Sequence, residues 1–224
     1  DKTENITRIT AYNGRLPFEK DSEYNISFSA DGKAFKDAVP FSLKSVFKWE
    51  VLDVNESARY IKLDYLYGDS VYIGEIGVFN GNDKLKFSCA EAPKLCDEQK
   101  TVAYESSYMN GTYFDEIYHA RTGYEFNCGA DIYEWTHPPL GKIFIALGIK
   151  LFGMTPFGWR FAGAFFGVLI IPVIYIFAKE IFKSRRAAAL AAILLSVDFM
   201  HFTMSRIATI DSFASFFALL MFLF

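Results

Sequence analysis

The sequence predicts a β-sandwich followed by an all-α region that crosses a membrane several times. Short runs in the first third of the chain alternate apolar with polar residues, as half-buried strands do. Long apolar runs begin at residue 161. The charge balance also reverses, because residues 1–140 carry 15 Lys and Arg against 23 Asp and Glu, whereas residues 141–224 carry 8 against 3. We therefore read an acidic water-soluble part and a basic membrane-embedded part.

The strand pattern extends over residues 8–80. Tyr24, Ile26 and Phe28 alternate with polar neighbours, and a second alternating run ends at Tyr67. Four dipeptides typical of tight turns separate the runs: Asn13-Gly14, Asp31-Gly32, Gly68-Asp69 and Asn80-Gly81. This spacing predicts a β-sandwich over residues 1–100.

Two of the three cysteines lie close together in the chain. Cys89 and Cys96 are near enough for a small loop disulfide outside the cytoplasm, which leaves Cys128 unpaired. Two free thiols are the alternative.

Three apolar runs predict transmembrane helices. Residues 161–178 contain no charge, residues 187–204 are interrupted only by Asp198 and His201, and a third run over residues 212–224 is cut off by the end of the chain. Roughly 20 apolar residues span a bilayer core. Buried core helices are the alternative interpretation.

The segment KEIFKSRR, residues 179–186, fixes the predicted orientation. It carries four basic residues and one acidic residue, so the positive-inside rule places it in the cytoplasm. Residues 1–156 and the turn over residues 206–211 are then extracytoplasmic. The chain begins without an initiator Met or signal peptide, and we expect a fragment of a larger integral protein of the cell membrane.

Residues 111–126, GTYFDEIYHARTGYEF, set Asp115 beside Glu116. Thr112 is a candidate N-cap for a helix over this segment. Neighbouring helical residues point about 100° apart, so the two carboxylates cannot share one proton or one metal ion. We predict that one faces a site and the other faces something else. The alternative is that both acids decorate a solvated helix start.

A second helix is predicted where Pro138 suits the opening turn and Gly153 the end. Its apolar part, residues 143–152, is too short to span a bilayer and is expected to lie in the membrane interface. Residues 101–156 are thus predicted to be an extracytoplasmic loop with juxtamembrane helices, and residues 157–224 to be transmembrane helices.

Several charged residues fall near the predicted outer surface. Arg160, Arg206 and Asp211 lie at span ends, where such groups either anchor a helix or contact a ligand phosphate. His137 either touches the phosphate or caps its helix, and Lys142 completes the candidate phosphate-binding set.

Asp198 and His201 lie inside a span, where ionisable groups are usually functional, but they approach its outer end and interfacial positions are the alternative. Glu116 and His119 have the i, i+3 spacing of a metal-ligand pair, yet no second cluster accompanies them. We expect no metal and no cofactor.

Two resemblances extend this interpretation. SADGKAF, VFKWEVL and ARYIKLDYLYGDSVYIGEIGVF are similar to the later strands of a discoidin-type (coagulation factor 5/8 C) jelly roll. That resemblance covers about 80 residues and implies carbohydrate binding by loops at one end of the domain. A spacer domain without a ligand is the alternative.

YFDEIYHARTGYE, YEWTHPPLGKIFIALGIKLFG, GWRFAGAFFGVLIIPVIYIFAKEIF and MSRIATIDSFASFF resemble the N-terminal third of the C-type polytopic glycosyltransferases, closest to the protein O-mannosyltransferases. The resemblance spans residues 111–224. It implies a membrane enzyme that transfers a sugar from a polyprenyl phosphate to a hydroxyl acceptor, outside the cytoplasm and with inversion. It also implies that Asp115 is the base and that Arg160 contacts the donor phosphate. This sequence departs from the family's Phe-Asp-Glu-Val-His motif, because Tyr118 stands where the motif has His, and His119 follows it.

The chemistry supports the same roles. A phosphate leaves as an anion and needs cations rather than a general acid, so only the attacking hydroxyl needs a base. We assign the base to Asp115 and predict that Glu116 pairs with a basic group or orients the acceptor. Expected partners are a polyprenyl-phosphate sugar, an acceptor protein or cell-envelope glycan, and the membrane, but no nucleic acid. The competing function is a non-catalytic, membrane-tethered carbohydrate-binding protein.

Overall fold

The computed structural model describes residues 2–14, 22–66 and 73–224. The chain divides into two compact units, Asp1–Gly111 and Thr112–Phe224. The predicted strand end at Tyr67 and the predicted turn at Gly68-Asp69 lie outside the described residues. The division of the second unit into an extracytoplasmic loop and a membrane region, at residue 156, stays a prediction.

The first unit consists of antiparallel strands in two sheets. One sheet has the order β4-β1-β6-β7 and the other the order β3-β2-β5. The strands are β1 (Glu4–Asn13), β2 (Ser22–Ser29), β3 (Val39–Leu43), β4 (Lys48–Ala58), β5 (Tyr60–Tyr65), β6 (Ile73–Asn80) and β7 (Asp83–Lys84). The predicted turn at Asn80-Gly81 joins β6 to β7, and Gly81 has the positive φ of 57° that a turn glycine accommodates without strain.

Both sheets contribute to one hydrophobic core. Ile6 and Ile9 of β1 pack in it with Tyr24, Ile26 and Phe28 of β2. The predicted inward face of β2 is therefore confirmed. The discoidin-like identity of the domain stays a prediction.

The second unit contains six helices within the described residues: α1 (Glu116–Cys128), α2 (Pro139–Phe152), α3 (Pro156–Phe182), α4 (Arg185–Ser196), α5 (Phe199–Met204) and α6 (Asp211–Leu223). The prediction that Thr112 caps α1 is wrong, because the cap is Asp115. Phe114 has a φ of 53°, which no right-handed helix allows, so the helix starts after it.

Helix α2 has one buried and one exposed face, and both faces carry apolar side chains. It ends at Gly153, which has a φ of 82°. One face buries Ile145, Ala146 and Ile149, and the other exposes Leu140, Ile143, Leu147 and Leu151. Its buried face packs on α1 and α3, and a Cβ at Gly148 would lie 2.5 Å from the Gly158 carbonyl oxygen, so only glycine allows this approach.

Among the described helices, α3 alone combines enough length and apolar character to cross a membrane, with 27 residues and an 18-residue stretch whose mean hydropathy is 2.4. It contains the first predicted span. Helix α6 coincides with the third apolar run and, at 13 residues, is shorter than α3.

The second predicted span, residues 187–204, is not one continuous helix. Asp198 accepts a hydrogen bond from the His201 amide at 2.7 Å and thereby caps α5, so the run is divided between α4 and α5. Helix α4 has 12 residues and is about 18 Å long at 1.5 Å per residue. That length is well short of a hydrocarbon core of about 30 Å.

Candidate active site

Glu116 is the centre of a buried polar network that joins three segments of the second unit. Its side chain is fully buried. One carboxylate oxygen accepts hydrogen bonds from Arg160 Nε at 2.6 Å and from the Ala208 amide at 2.9 Å. The other accepts from Arg160 Nη2 at 2.6 Å and from the Tyr113 amide at 2.8 Å. Glu116 therefore ties the start of α1 to α3 and to the turn between α5 and α6.

The local backbone explains why Glu116 points inward. Phe114 adopts a left-handed conformation immediately before α1, and the chain then enters the helix at Asp115. The Tyr113 amide binds the carboxylate three residues ahead, as in the reach-back contact of a capping box. The prediction that Glu116 pairs with a basic group is confirmed, and Arg160 is that group.

The surroundings of Asp115 differ from those of Glu116. It is half-buried, and no hydrogen bond or ion pair involves its carboxylate within residues 2–14, 22–66 and 73–224. Its backbone carbonyl accepts from the amides of Tyr118 and His119. Exposed aromatic side chains, Tyr113 and Phe114, precede it. An accessible carboxylate without a cation partner is able to accept a proton, whereas the Glu116 carboxylate is already saturated with donors.

Consecutive Cα atoms lie about 3.8 Å apart, so the backbone of Asp115 is next to that of Glu116. Glu116 makes the direct contacts with the start of α3 and with the turn over residues 206–211, and a site shared by Asp115, Arg160 and Arg206 stays a prediction.

A second polar cluster precedes α2. Glu134 binds Lys142 in a buried ion pair and accepts hydrogen bonds from the amides of Thr136 and His137. Its carboxylate also lies 3.1 Å from His137 Nδ1. Burial alone would raise the pKa of Glu134, but hydrogen bonds from Lys142, Thr136 and His137 outweigh it and lower the pKa to about 2. Glu134 is thus a structural anion that fixes the turn before α2.

This cluster changes the expectation for Lys142. Its side chain is 2% exposed, and its ammonium group donates to the carbonyl oxygens of Glu134 and His137 at 2.8 and 3.2 Å. The Glu134 carboxylate also pairs with this ammonium group. In this conformation Lys142 holds the turn before α2, and its role in binding a donor phosphate stays a prediction. His137 is half-exposed and remains a candidate.

His119 joins the two clusters. It is buried and its ring meets the His137 ring edge to face, with centroids 5.3 Å apart. Burial lowers the pKa of His119, and His137 and Lys142 lower it further, against the opposing charges of Glu134 and Asp115. Its Nδ1 has no hydrogen-bond partner in the described part of the chain. His119 is therefore a neutral imidazole at pH 7.

The metal interpretation of Glu116 and His119 gains nothing from the structure. Arg160 and two backbone amides occupy the Glu116 carboxylate, and the described residues contain no group of three or more His, Cys, Asp or Glu side chains that could hold a metal ion.

The remaining candidates lie around the turn between α5 and α6. Arg206 is exposed, and its guanidinium carbon lies 4.8 Å from the centroid of the Phe202 ring. Asp211 begins α6 and lines a cavity of about 310 Å³ together with His201, Met200 and Met204. His201 Nε2 also lies 3.1 Å from the Gly167 carbonyl oxygen, so it acts as the donor in the tautomer that this contact favours. Asp198 serves as a helix cap.

Sequence reasoning missed Glu134 altogether. The signal available for it was the i, i+3 spacing of Glu134 and His137 immediately before a Pro-Pro pair. That spacing allows a carboxylate to bind amides and a ring within one turn, as it does here.

Comparisons with known proteins show a family match within the second unit. A family described as dolichyl-phosphate-mannose-protein mannosyltransferase matches residues 136–224. This region includes five predicted site residues, His137, Lys142, Arg160, Arg206 and Asp211, and it begins after Asp115 and Glu116. No solved structure matches the chain significantly.

Three curated bacterial relatives carry the name polyprenol-phosphate-mannose–protein mannosyltransferase. The Mycobacterium tuberculosis protein is 41% identical over 81 residues, which is 36% of this chain. The Mycolicibacterium smegmatis protein is 43% identical over 82 residues, or 37% of this chain. The Corynebacterium glutamicum protein is 41% identical over 81 residues, or 36% of this chain. In each case the match spans 16% of the relative's own length.

Proposed function

We propose that this chain is part of a membrane mannosyltransferase, which takes mannose from a polyprenyl-phosphate donor and transfers it to a hydroxyl group outside the cytoplasm. The acceptor we propose is a protein Ser or Thr. The names of the bacterial relatives support the donor and the acceptor class. The family match over residues 136–224 supports the same reaction.

The observation that carries the proposal is that two adjacent acids have different surroundings. Glu116 is buried and bound to Arg160, whereas Asp115 is half-buried beside that pair without a hydrogen-bond partner for its carboxylate in the described residues. A glycosyl transfer from a phosphate needs one base and no general acid. One accessible carboxylate is what this chemistry requires.

The proposed reaction is an in-line displacement. The acceptor hydroxyl oxygen attacks the anomeric carbon, the bond from that carbon to the phosphate oxygen breaks, and the hydroxyl proton passes to Asp115. The phosphate departs as an anion with its bonding electron pair. Attack opposite the leaving group inverts the configuration of the anomeric carbon.

We assign stabilisation of the departing phosphate to Arg206, Arg160 and His137. Arg206 is exposed and forms no ion pair within the described residues, so its charge is the least neutralised of the three. Arg160 directs Nε and Nη2 to Glu116, which fixes its position at the start of α3. Preorganised cations of this kind stabilise charge that develops at a leaving group.

The test is transfer by the full-length protein in membranes or detergent. Polyprenyl-phosphate mannose carrying a radiolabel is offered with a Ser- and Thr-containing acceptor peptide, and labelled peptide is identified by mass spectrometry. We expect donor-dependent O-mannosylation of the peptide. Binding of carbohydrate by the first unit without any transfer, under conditions in which a bacterial relative is active, would instead favour the non-catalytic function.

A further inference from the structure

The structure places two cysteines of the first unit against each other. Cys89 and Cys96 follow β7 and are separated by a short 3-10 helix, Pro93–Leu95. The Cys89 amide donates to Cys96 Sγ at 3.0 Å, and the Cys96 amide donates to the Pro93 carbonyl oxygen at 3.2 Å. The two thiols also hydrogen-bond each other. Both residues are half-buried and carry free thiols.

Packing on either side holds this arrangement in place. Phe87, two residues before Cys89, and Leu95, immediately before Cys96, both pack against the hydrophobic core of the first unit. The chain after Cys96 is bound to β6, because the Glu98 amide and the Gln99 side chain donate to the buried Glu75 carboxylate at 3.1 and 2.6 Å. The sulfur contact is therefore set by anchored neighbours.

We propose that Cys89 and Cys96 are an oxidation site and form an intramolecular disulfide that closes the loop between β7 and Glu98. Disulfides require closely spaced, facing Cβ atoms, and the anchored amide-to-sulfur and thiol-to-thiol contacts hold the two cysteines side by side. Such bonds persist outside the cytoplasm. The inference uses the proposed extracytoplasmic location of the first unit and is independent of mannosyl transfer.

The oxidant is a protein disulfide donor that reacts by thiol–disulfide exchange. Burial, followed by the hydrogen bond with Cys96, raises the pKa of the Cys89 thiol to about 12, so Cys89 is a poor first nucleophile. Cys96 therefore attacks the donor disulfide, the donor S–S bond breaks, and one donor thiol leaves. Cys89 then loses its proton to water, attacks Cys96 Sγ and expels the second donor thiol. Two protein thiols are oxidised and one donor disulfide is reduced.

The sequence offers a direct readout. Trypsin cleaves after Lys86, Lys94 and Lys100, so Cys89 and Cys96 fall on separate peptides, Phe87–Lys94 and Leu95–Lys100. Cells that express the full-length protein are treated with N-ethylmaleimide before lysis, and the protein is digested without reductant. We expect the two peptides to be linked, at the summed mass minus two hydrogens, and to separate after reduction. Cys128, which is exposed, serves as the alkylated internal control.

Two variants complete the design. Cys89→Ser should make Cys96 fully alkylated, and Cys128→Ser should leave the linked peptides unchanged. Recovery of both peptides singly alkylated from the unreduced wild-type protein would overturn the proposal. So would a link found only in a dimer on a non-reducing gel, because that bond would join two chains.

Discussion

Glu116 binds Arg160 through both of its carboxylate oxygens, although 44 residues separate the two in sequence. A bidentate guanidinium–carboxylate contact fixes orientation as well as distance. The Ala208 amide binds the same carboxylate, so three segments of the second unit share one anion. Because Asp115 directly precedes Glu116, these contacts of Glu116 also fix the backbone position of Asp115.

Glu116→Gln should therefore destabilise the second unit. The change removes the negative charge that binds the Arg160 guanidinium, whose side chain is 14% exposed. Loss of one partner of a buried ion pair costs about 3–5 kcal/mol, and we expect the lower end because Arg160 retains some contact with water. The measurement is thermal unfolding of the full-length protein in detergent.

Glu180→Gln is the matched control for that experiment. Glu180 also pairs with a cation, Lys183, but both side chains are exposed, and such surface pairs contribute little to stability. Equal unfolding temperatures for Glu116→Gln and the wild-type protein would contradict a structural role for Glu116.

His119 predicts a pH dependence of stability. Burial lowers its pKa below the ordinary value of 6.5, with His137 and Lys142 acting in the same direction. Well above pH 6.5 the residue is neutral in both folded and unfolded chains and contributes no pH dependence. As the pH falls below 6.5 the unfolded chain binds the proton first, so stability is lost at up to about 1.4 kcal/mol per pH unit.

His119→Gln should remove this contribution. We expect the unfolding temperature of the wild-type protein to fall more steeply than that of the variant between pH 7.5 and 5. His137→Gln is the comparison variant, because His137 is half-exposed and its ring contacts the ring of His119. A His119→Gln profile parallel to that of the wild type over this range would show that the buried imidazole does not resist protonation.

The charge bias of residues 179–186 predicts that the turn between α3 and α4 is cytoplasmic. Glu180→Cys should be protected from a membrane-impermeant maleimide in intact cells and should react after permeabilisation. Met109→Cys, at an exposed position of the first unit, should react without permeabilisation. Labelled tryptic peptides identify the reacting cysteine. Reaction at position 180 in intact cells would reverse the orientation.

The different surroundings of Asp115 and Glu116 were predictable because helical geometry separates neighbours by about 100°. The identity of the Glu116 partner was not, since a contact across 44 residues depends on how α1 packs against α3. Local pattern constrains direction, and tertiary packing selects the partner.

Two other outcomes show where composition misleads. Counting apolar residues predicts one span over residues 187–204, but Asp198 caps a new helix inside the run, and capping is a local hydrogen-bond effect that hydropathy does not register. Lys142 looks like an available cation, yet Glu134 neutralises it in a turn set by the following prolines. A lysine is buried only with such a partner.

The sharpest prediction concerns the proposed base. Asp115→Asn keeps the size of the side chain and removes its basicity, so the full-length protein should lose transfer activity by about 10²–10⁴-fold. Abundance and unfolding temperature should stay near the wild-type values, because no hydrogen bond or ion pair of the Asp115 carboxylate within the described residues is lost. Activity is measured as labelled mannose transferred to peptide at saturating donor.

Comparison with Glu116→Gln makes this test specific. Both variants exchange a carboxylate for an amide at adjacent positions, but we propose a chemical role for Asp115, whereas Glu116 is buried and paired with Arg160. Asp115→Asn should lower activity per folded molecule, whereas Glu116→Gln should lower the amount of folded protein. A transfer rate for Asp115→Asn above roughly a tenth of the wild-type rate would remove Asp115 from the role of base, since loss of a general base typically costs at least about 10²-fold.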